Sequence, residues 1–391
     1  MEADRILVES ERKKSWTIGI FLTVAIGGAV FQTRGPFLSS FEATFGVSKS
    51  VLGLMPAASS ISFLTSVIVF GMRSGKINIK RHLLVGILLN GIFVFLFGLA
   101  PTFLILLGFF IGEGLAAGVQ GGLGRPLLGH FFPKRRGWIY NLYDLFWAVG
   151  AASGPLFANL FLNIGNWRWA YIILAIGFIP IIVLLRLNDM PSVEHKEKPL
   201  DFEKFGKILK NPKIIALISL IVLNSGVEGI TFTWLPYFAE QYFSRTISNV
   251  ILSIFIGAYI PGRLLHSWLS EQTEYRWIIL VDSLLLIPAV LVTFVFSAGG
   301  YLMIIAACIS GFLISGIFPT VLAYGTDEFP QYSGPINSLA MSSSTVGISL
   351  FSAIVGLTAD VYTIEKAMYI PAILVFLVFI LGFLTNISHK K

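Results

Sequence analysis

The sequence is poor in charge, in cysteine and in hydrophilic stretches. Only 13% of its 391 residues are Asp, Glu, Lys or Arg, too few to cover the surface of a soluble domain of this length. The single cysteine, Cys308, lies in an apolar run, which rules out an intrachain disulfide and points to no thiol chemistry. The five histidines (His82, His130, His195, His266 and His389) are scattered, and none reads as deep within an apolar segment. No metal-ligand spacing or nucleophile–histidine constellation emerges from them. A Gly-rich Lys loop for nucleotide phosphates is also missing. The chain is therefore not read as an enzyme or a primary pump, and neither cofactor nor metal is expected. A net charge of +7 would suit nucleic acid, but the basic residues are spread over short gaps rather than gathered on one face, so no nucleic-acid partner is expected either.

Apolar residues make up 55% of the chain and fall into twelve long blocks. A helix needs roughly 20 mostly apolar residues to span the hydrocarbon core, because there every backbone polar group must be satisfied within its own segment. The blocks run over about 16–39, 49–72, 82–100, 103–131, 137–163, 168–187, 212–239, 247–269, 277–297, 299–326, 335–359 and 367–386. They predict an all-α, multi-pass integral membrane protein with twelve transmembrane helices and the lipid bilayer as its solvent. The charged start MEADRILVESERKK precedes an apolar run too long for a signal peptide and without a small-residue cleavage site. Lys and Arg concentrate at the two termini and in loops 2/3, 4/5, 6/7 and 8/9, leaving Lys49, Arg168, Arg245 and Lys366 on the other side. That bias predicts both termini in the cytoplasm.

The longest hydrophilic stretch, about Asn188 to Lys210, falls at the midpoint. It divides the chain into a tail (1–15), a six-helix bundle (16–187), a linker (188–211) and a second six-helix bundle (212–391). In the linker Phe202, Phe205, Ile208 and Leu209 recur at helical spacing, as in a surface-lying amphipathic helix; a solvated linker is the alternative. The halves echo each other. Pro36 and Ser48 recur as Pro236 and Ser248, while Phe132-Pro133, Gly137 and Val149-Gly150 recur as Phe329-Pro330, Gly334 and Val346-Gly347. Constant offsets of this kind predict two pseudo-symmetric repeats, one known basis for alternating access.

Several of these residues resemble the major facilitator superfamily over essentially the whole chain: Gly35-Pro36-Phe37-Leu38, Phe45-Gly46-Val47-Ser48 with Gly53, Gly150-x-x-x-Gly154-Pro155 and Trp167-Arg168-Trp169. The loop 2/3 signature reads Gly71-Met72-Arg73-Ser74-Gly75-Lys76-Ile77-Asn78-Ile79-Lys80-Arg81, with Gly75 where that superfamily has Asp, and Phe110 stands near the position of its fourth-helix Arg. Within the superfamily the chain is most similar to the fucose/galactose/glucose proton symporters and their relatives. The second half carries this in Gly226-Val227-Glu228, Trp234-Leu235-Pro236, Gly262-Arg263-Leu264-Leu265 and Ser315-Gly316-Ile317-Phe318-Pro319-Thr320. In the first half Asn141-Leu142-Tyr143-Asp144 resembles the family's fifth-helix start, with Asp144 where His is common, and Gln120 and Gly124 stand where the family has an acidic residue and Asn. The resemblance implies the major facilitator fold, with helices 1, 4, 7 and 10 lining a central cavity.

An ionised side chain in hydrocarbon costs about 2.5 to 3.5 kcal/mol on insertion scales, so each one is a candidate functional residue. Glu113 in helix 4 and Glu228 in helix 7 lie about 10 residues from the outer ends of their helices, on the order of 16 Å down. A carboxylate that has lost its water is suited to bind and release a proton, which makes both candidates for proton coupling. Gln120 shares a helical face with Glu113 and Asn224 stands one turn before Glu228, so each could orient a hydroxylated solute; hydrogen bonding between helices is the other reading. Trp234, Tyr259 and Tyr324 are candidates for stacking on a sugar ring. Arg125 and Asp144 flank the turn at Phe132–Arg136 and are expected to form a structural ion pair. Arg34, with Gln32, sits about a turn below the outer surface. Snorkelling outward is the expectation for it, and reaching a cavity carboxylate or an anionic substrate the alternative. Asp282, Asp327 and Glu328 are given no coupling role.

These readings predict a monomeric secondary transporter in the plasma membrane. It would move a small-molecule substrate, with a sugar as the candidate class, by alternating access with protons. The rivals are an efflux carrier for drugs, lipids or organic anions and, from another class, a non-transporting sensor or assembly partner.

Overall fold

The computed structural model describes residues 2–73, 77–191, 210–296, 300–329 and 333–385. Regular structure among them is helical throughout. Twelve helices are long and apolar enough to cross a membrane: α1 (Glu9–Gln32), α2 (Lys49–Phe70), α3 (Ile79–Phe97), α4 (Phe103–Phe131), α5 (Trp138–Ile164), α6 (Arg168–Leu187), α7 (Pro212–Ala239), α8 (Arg245–Gln272), α9 (Tyr275–Val295), α10 (Gly300–Glu328), α11 (Ile336–Val361) and α12 (Ile364–Leu384). The all-α, twelve-span expectation holds. The amphipathic helix considered for Phe202 to Leu209, and part of the loop 2/3 signature, lie outside the described residues.

The structure departs from uniform spans at identifiable residues. The expected first span, 16–39, stops early: α1 ends at Gln32, the chain turns through 33–37, and a short helix, Leu38–Phe45, follows. Pro36 has no backbone N–H to continue the ladder, so the break falls there. α2 is interrupted at Gly53-Leu54, just before Pro56, and α6 bends at Gly177. α9 finishes in a π-helical turn, Leu291–Val295, which follows Pro288.

The chain forms two compact units. The first comprises Met1–Thr33 and Ala58–Pro199, and the second comprises Arg34–Ala57 and Leu200–Lys391. Arg34–Ala57, expected with the first bundle, thus belongs to the second unit. In the first unit α1 packs chiefly on α5 and α3 on α4; in the second, α7 packs chiefly on α11 and α9 on α10. The same pairings six helices apart are what a duplicated bundle produces. Lipid chains are as apolar as Leu, so such helices associate by close backbone approach at small residues. A Cβ on Gly150 of α5 would lie 1.9 Å from the Ala25 carbonyl of α1, and one on Gly347 of α11 would lie 2.3 Å from the Val222 carbonyl of α7. Ala25 to Val222 and Gly150 to Gly347 are the same distance apart in sequence, so each repeat uses the same contact.

Candidate functional site

In the second unit α7 meets α8 through Glu228. Asn224 and Glu228 are four residues apart and share one side of the helix. Tyr259 starts the second stretch of α8, and its hydroxyl donates to Glu228 Oε1 at 2.9 Å. One turn further along, the Arg263 guanidinium lies 5.6 Å from the centre of the Tyr259 ring, within cation–π range. Phe232 and Phe255 close in on Tyr259 at 6.2 and 5.5 Å between ring centres. Asn224 is buried, and neither Nδ2 nor Oδ1 has a hydrogen-bond partner among the described residues. Buried carboxamides are normally satisfied, so this one is suited to meet a hydroxyl-bearing ligand. Next to it Ser225 donates to Ser344 of α11 at 2.9 Å. The result is a carboxylate, a phenol and a guanidinium beside aromatic rings, with an unpaired amide one turn away along α7.

Trp234 does not join this group. Its side chain is 0% exposed and its Nε1 donates to the Ser352 carbonyl of α11 at 3.0 Å, so the indole packs α7 against α11 and presents no face for stacking. Tyr324 is likewise buried, one turn before Glu328, which pairs with Lys213. Arg34 corrects the snorkelling expectation: it is only 5% exposed, and its backbone belongs to the second unit. Gln32, expected beside it, belongs to the first unit, where it is buried with both side-chain polar atoms unpaired among the described residues.

Within the first unit Glu113 is buried in α4, and Gln120 two turns on is half-buried with Nε2 unpaired among the described residues. Towards the end of α4, Arg125 Nη2 meets Asp144 Oδ2 of α5 at 2.9 Å. The guanidinium also lies 5.1 Å from the Tyr140 ring centre and 5.7 Å from that of Tyr143. The structure brings this pair together within an aromatic cage.

Two polar groups of the second unit are given no role by the sequence. Along Arg34–Ala57, Glu42 accepts from Tyr237 Oη at 2.6 Å and lies 3.2 Å from Lys49 Nζ, while Ser39 donates to Glu240 at 2.9 Å and Arg245 Nε lies 3.3 Å from the same carboxylate. Ser39, Glu42, Tyr237 and Glu240, with Gln241, line a cleft of about 260 Å³. Nearby, Asp360 of α11 accepts the backbone N–H groups of Lys49 and Ser50 at 2.9 and 2.8 Å, capping the start of α2. The second group corrects the view that no histidine is deep: His266 and Asp282 form a buried pair between α8 and α9, with Nε2 and Oδ2 2.8 Å apart. The signal for both groups was acidic residues within or at the ends of apolar blocks, above all Asp282, the only acidic residue in α9.

The model of the Major Facilitator Superfamily matches residues 20–334 and 239–391. In sequence the chain is similar to the protein TsgA homolog of Buchnera aphidicola subsp. Baizongia pistaciae (strain Bp), at 23% identity over 94% of this chain and 95% of that protein. It is also similar to the glucose/mannose transporter GlcP of Bacillus subtilis (strain 168), at 24% identity over 58% of each. In structure it is similar to a bacterial homolog of the human lysosomal transporter Spinster in an inward-facing and occupied conformation, with a TM-score of 0.80, 16% identity and coverage of 95% of this chain and 96% of that one. At that identity the likeness speaks to the fold alone.

Proposed function

The chain belongs to the major facilitator superfamily, and on that premise we propose that it is a secondary active transporter moving a small hydroxylated solute, of the sugar class, by alternating access with proton coupling. One observation carries the reading: in α7 the Glu228 carboxylate, held by the Tyr259 hydroxyl, stands one turn from the buried, unpaired carboxamide of Asn224. A carboxylate surrounded by helices can take up and give back a proton, and an unpaired carboxamide can both donate to and accept from a sugar hydroxyl. The likeness to a glucose/mannose transporter supports the solute class. Glu113 is the corresponding candidate in the first unit, with Gln120 on its face. Arg125 and Asp144 serve as a structural pair.

The basic bias of the loops supports both termini in the cytoplasm, and we take the plasma membrane as the site of action and the monomer as the working form. Energetically one proton suffices. At about 2.3 kcal/mol per charge per 100 mV it concentrates a neutral solute roughly fiftyfold.

The experiment is uptake into liposomes under an imposed pH gradient, over a panel of sugars and organic anions, repeated with Glu228→Gln. Gradient-driven accumulation of a sugar that falls to simple equilibration in the variant is the expected result, and undiminished accumulation removes Glu228 from the coupling. The buried guanidinium of Arg34 favours a second reading, an efflux carrier for organic anions, which the anion arm of the panel decides. No flux of any kind would leave a sensor or assembly partner.

A further inference from the structure

α8 carries a second ionisable group that the Glu228 site does not use. Tyr259, Arg263 and His266 follow at intervals of four and three residues along one face of the helix, and His266 is the last of them. Its side chain is 3% exposed and that of its partner Asp282 is 7% exposed. The pair lies about six to seven residues, on the order of 10 Å, from the Gln272 and Tyr275 ends of α8 and α9. Nδ1 lies 2.6 Å from the Gly262 carbonyl. A carbonyl only accepts, so Nδ1 carries a hydrogen in every state of the ring, and Nε2 is the one variable position. Nε2 faces Asp282 Oδ2 at 2.8 Å, off the line of an ideal hydrogen bond.

Among the described residues no other ionisable side chain hydrogen-bonds or ion-pairs with His266 or Asp282. On α10 the residues packed against this part of α8 are Phe312, Ser315 and Gly316: the ring centres of His266 and Phe312 are 6.0 Å apart, and a Cβ on Gly316 would fall 2.2 Å from His266 Cγ. The charged groups of α10, Asp327 and Glu328, are held at its end by Tyr275 and Lys213. On α9, Arg276 donates to the Phe383 carbonyl of α12, and α12 has no Asp, Glu, Lys, Arg or His from Tyr369 to Leu384. On α8 itself Arg263 stands one turn before His266, and Glu271 lies further along, exposed. One imidazole and one carboxylate are thus enclosed together, with a single position between them where a proton can sit.

We propose that His266 and Asp282 form a second proton-binding site, separate from Glu228, in which one proton is taken up between Nε2 and Oδ2. Uptake takes a neutral imidazole and a carboxylate, with one net negative charge, to a pair that is neutral overall, whichever atom holds the proton. A carboxylate facing an imidazole lone pair is repulsive and poorly solvated between apolar helices, whereas the protonated pair is compensated. Proton exchange therefore alters the attraction that joins α8 to α9, and α8 is the helix whose Tyr259 holds Glu228. The site itself needs only this geometry; its use in coupling rests on the transporter reading.

The test counts protons. The full chain in lipid nanodiscs is stepped from about pH 9 to about pH 5, the range in which histidine ordinarily exchanges, and uptake is measured for wild type and for the double variant His266→Gln/Asp282→Asn. Wild type is expected to take up about one proton per chain more, and equal uptake overturns the proposal. Should the double variant fail to fold, a chain with His82, His130, His195 and His389 changed to Gln keeps His266 as its sole histidine for nitrogen NMR. An Nε2 signal that moves across the same range supports the site, and one that stays fixed sinks it. The count is independent of transport: a Glu228→Gln variant that still accumulates solute leaves it untouched, and equal proton counts leave the Glu228 result standing.

Discussion

Each unit sets a basic side chain against an aspartate on the neighbouring helix, and the two pairs differ in what their chemistry allows. Arg125 and Asp144 are 33% and 37% exposed, and the arginine lies among tyrosine rings. A guanidinium does not give up its proton, so this pair is a fixed neutralisation. His266 and Asp282 are almost wholly enclosed, and there the basic partner is an imidazole, which can give up its proton. The choice of basic side chain, more than the presence of a pair, separates a brace from a place where charge can change.

The sharpest way to break this comparison is through the glycine behind each pair. In Gly316→Ala the new Cβ would meet His266 at Cγ, 2.2 Å away, on a ring already tied to Gly262 and Asp282. Such overpacking should cost about 3 kcal/mol, read as a large fall in the unfolding midpoint. In Gly129→Ala the new Cβ would meet Tyr140 Oη, 2.3 Å away, the tip of a long side chain that can swing aside. A loss of under about 1 kcal/mol is expected there, and equal losses would show that the imidazole is not pinned.

A double-mutant cycle over Arg125→Ala and Asp144→Ala should return a coupling of about 1 kcal/mol, since the pair is partly solvated. Additive losses would mean that the 2.9 Å contact is energetically idle. Smaller again is Asp360→Asn, which keeps one acceptor but loses the charge at the start of α2 and should cost about 0.5 kcal/mol of stability. The smallest effect concerns Asp189, outside the spans, where Lys80 first and Arg12 next hold its carboxyl below the usual range. A lowered folded-state value stabilises above the ordinary carboxylate range and ceases to do so as pH falls through it. The midpoint difference between wild type and Asp189→Asn should therefore be small at about pH 7, disappear by about pH 2, and shrink with salt.

Hydropathy made the twelve spans legible because hydrocarbon leaves the backbone no alternative to helix, but it carried the first span through to 39, past Pro36, whereas α1 ends at Gln32. The turn between α4 and α5 put Arg125 and Asp144 within reach of each other before any coordinates did. Burial by neighbouring helices was not legible. His266 lies near the end of α8 and was judged by distance along the chain, whereas Gly316 of α10, far away in sequence, makes the space that encloses it. For the same reason Trp234 reads as a stacking residue in sequence, whereas its indole N–H donates to the Ser352 carbonyl and its ring is buried. Periodicity within one helix reports a face, but not what that face meets.

Assignment of Arg34–Ala57 to the second unit gives the molecule an unusual connectivity. The polypeptide leaves its first body at Thr33, contributes a short helix and the capped start of α2 to the other, and comes back at Ala58. If the chain were cut in the linker, the two halves would behave as a segment-swapped pair: the first fragment would carry a piece whose hydrogen-bond partners, Tyr237, Glu240 and Asp360, reside on the second. Co-expressed fragments should find each other without a peptide bond.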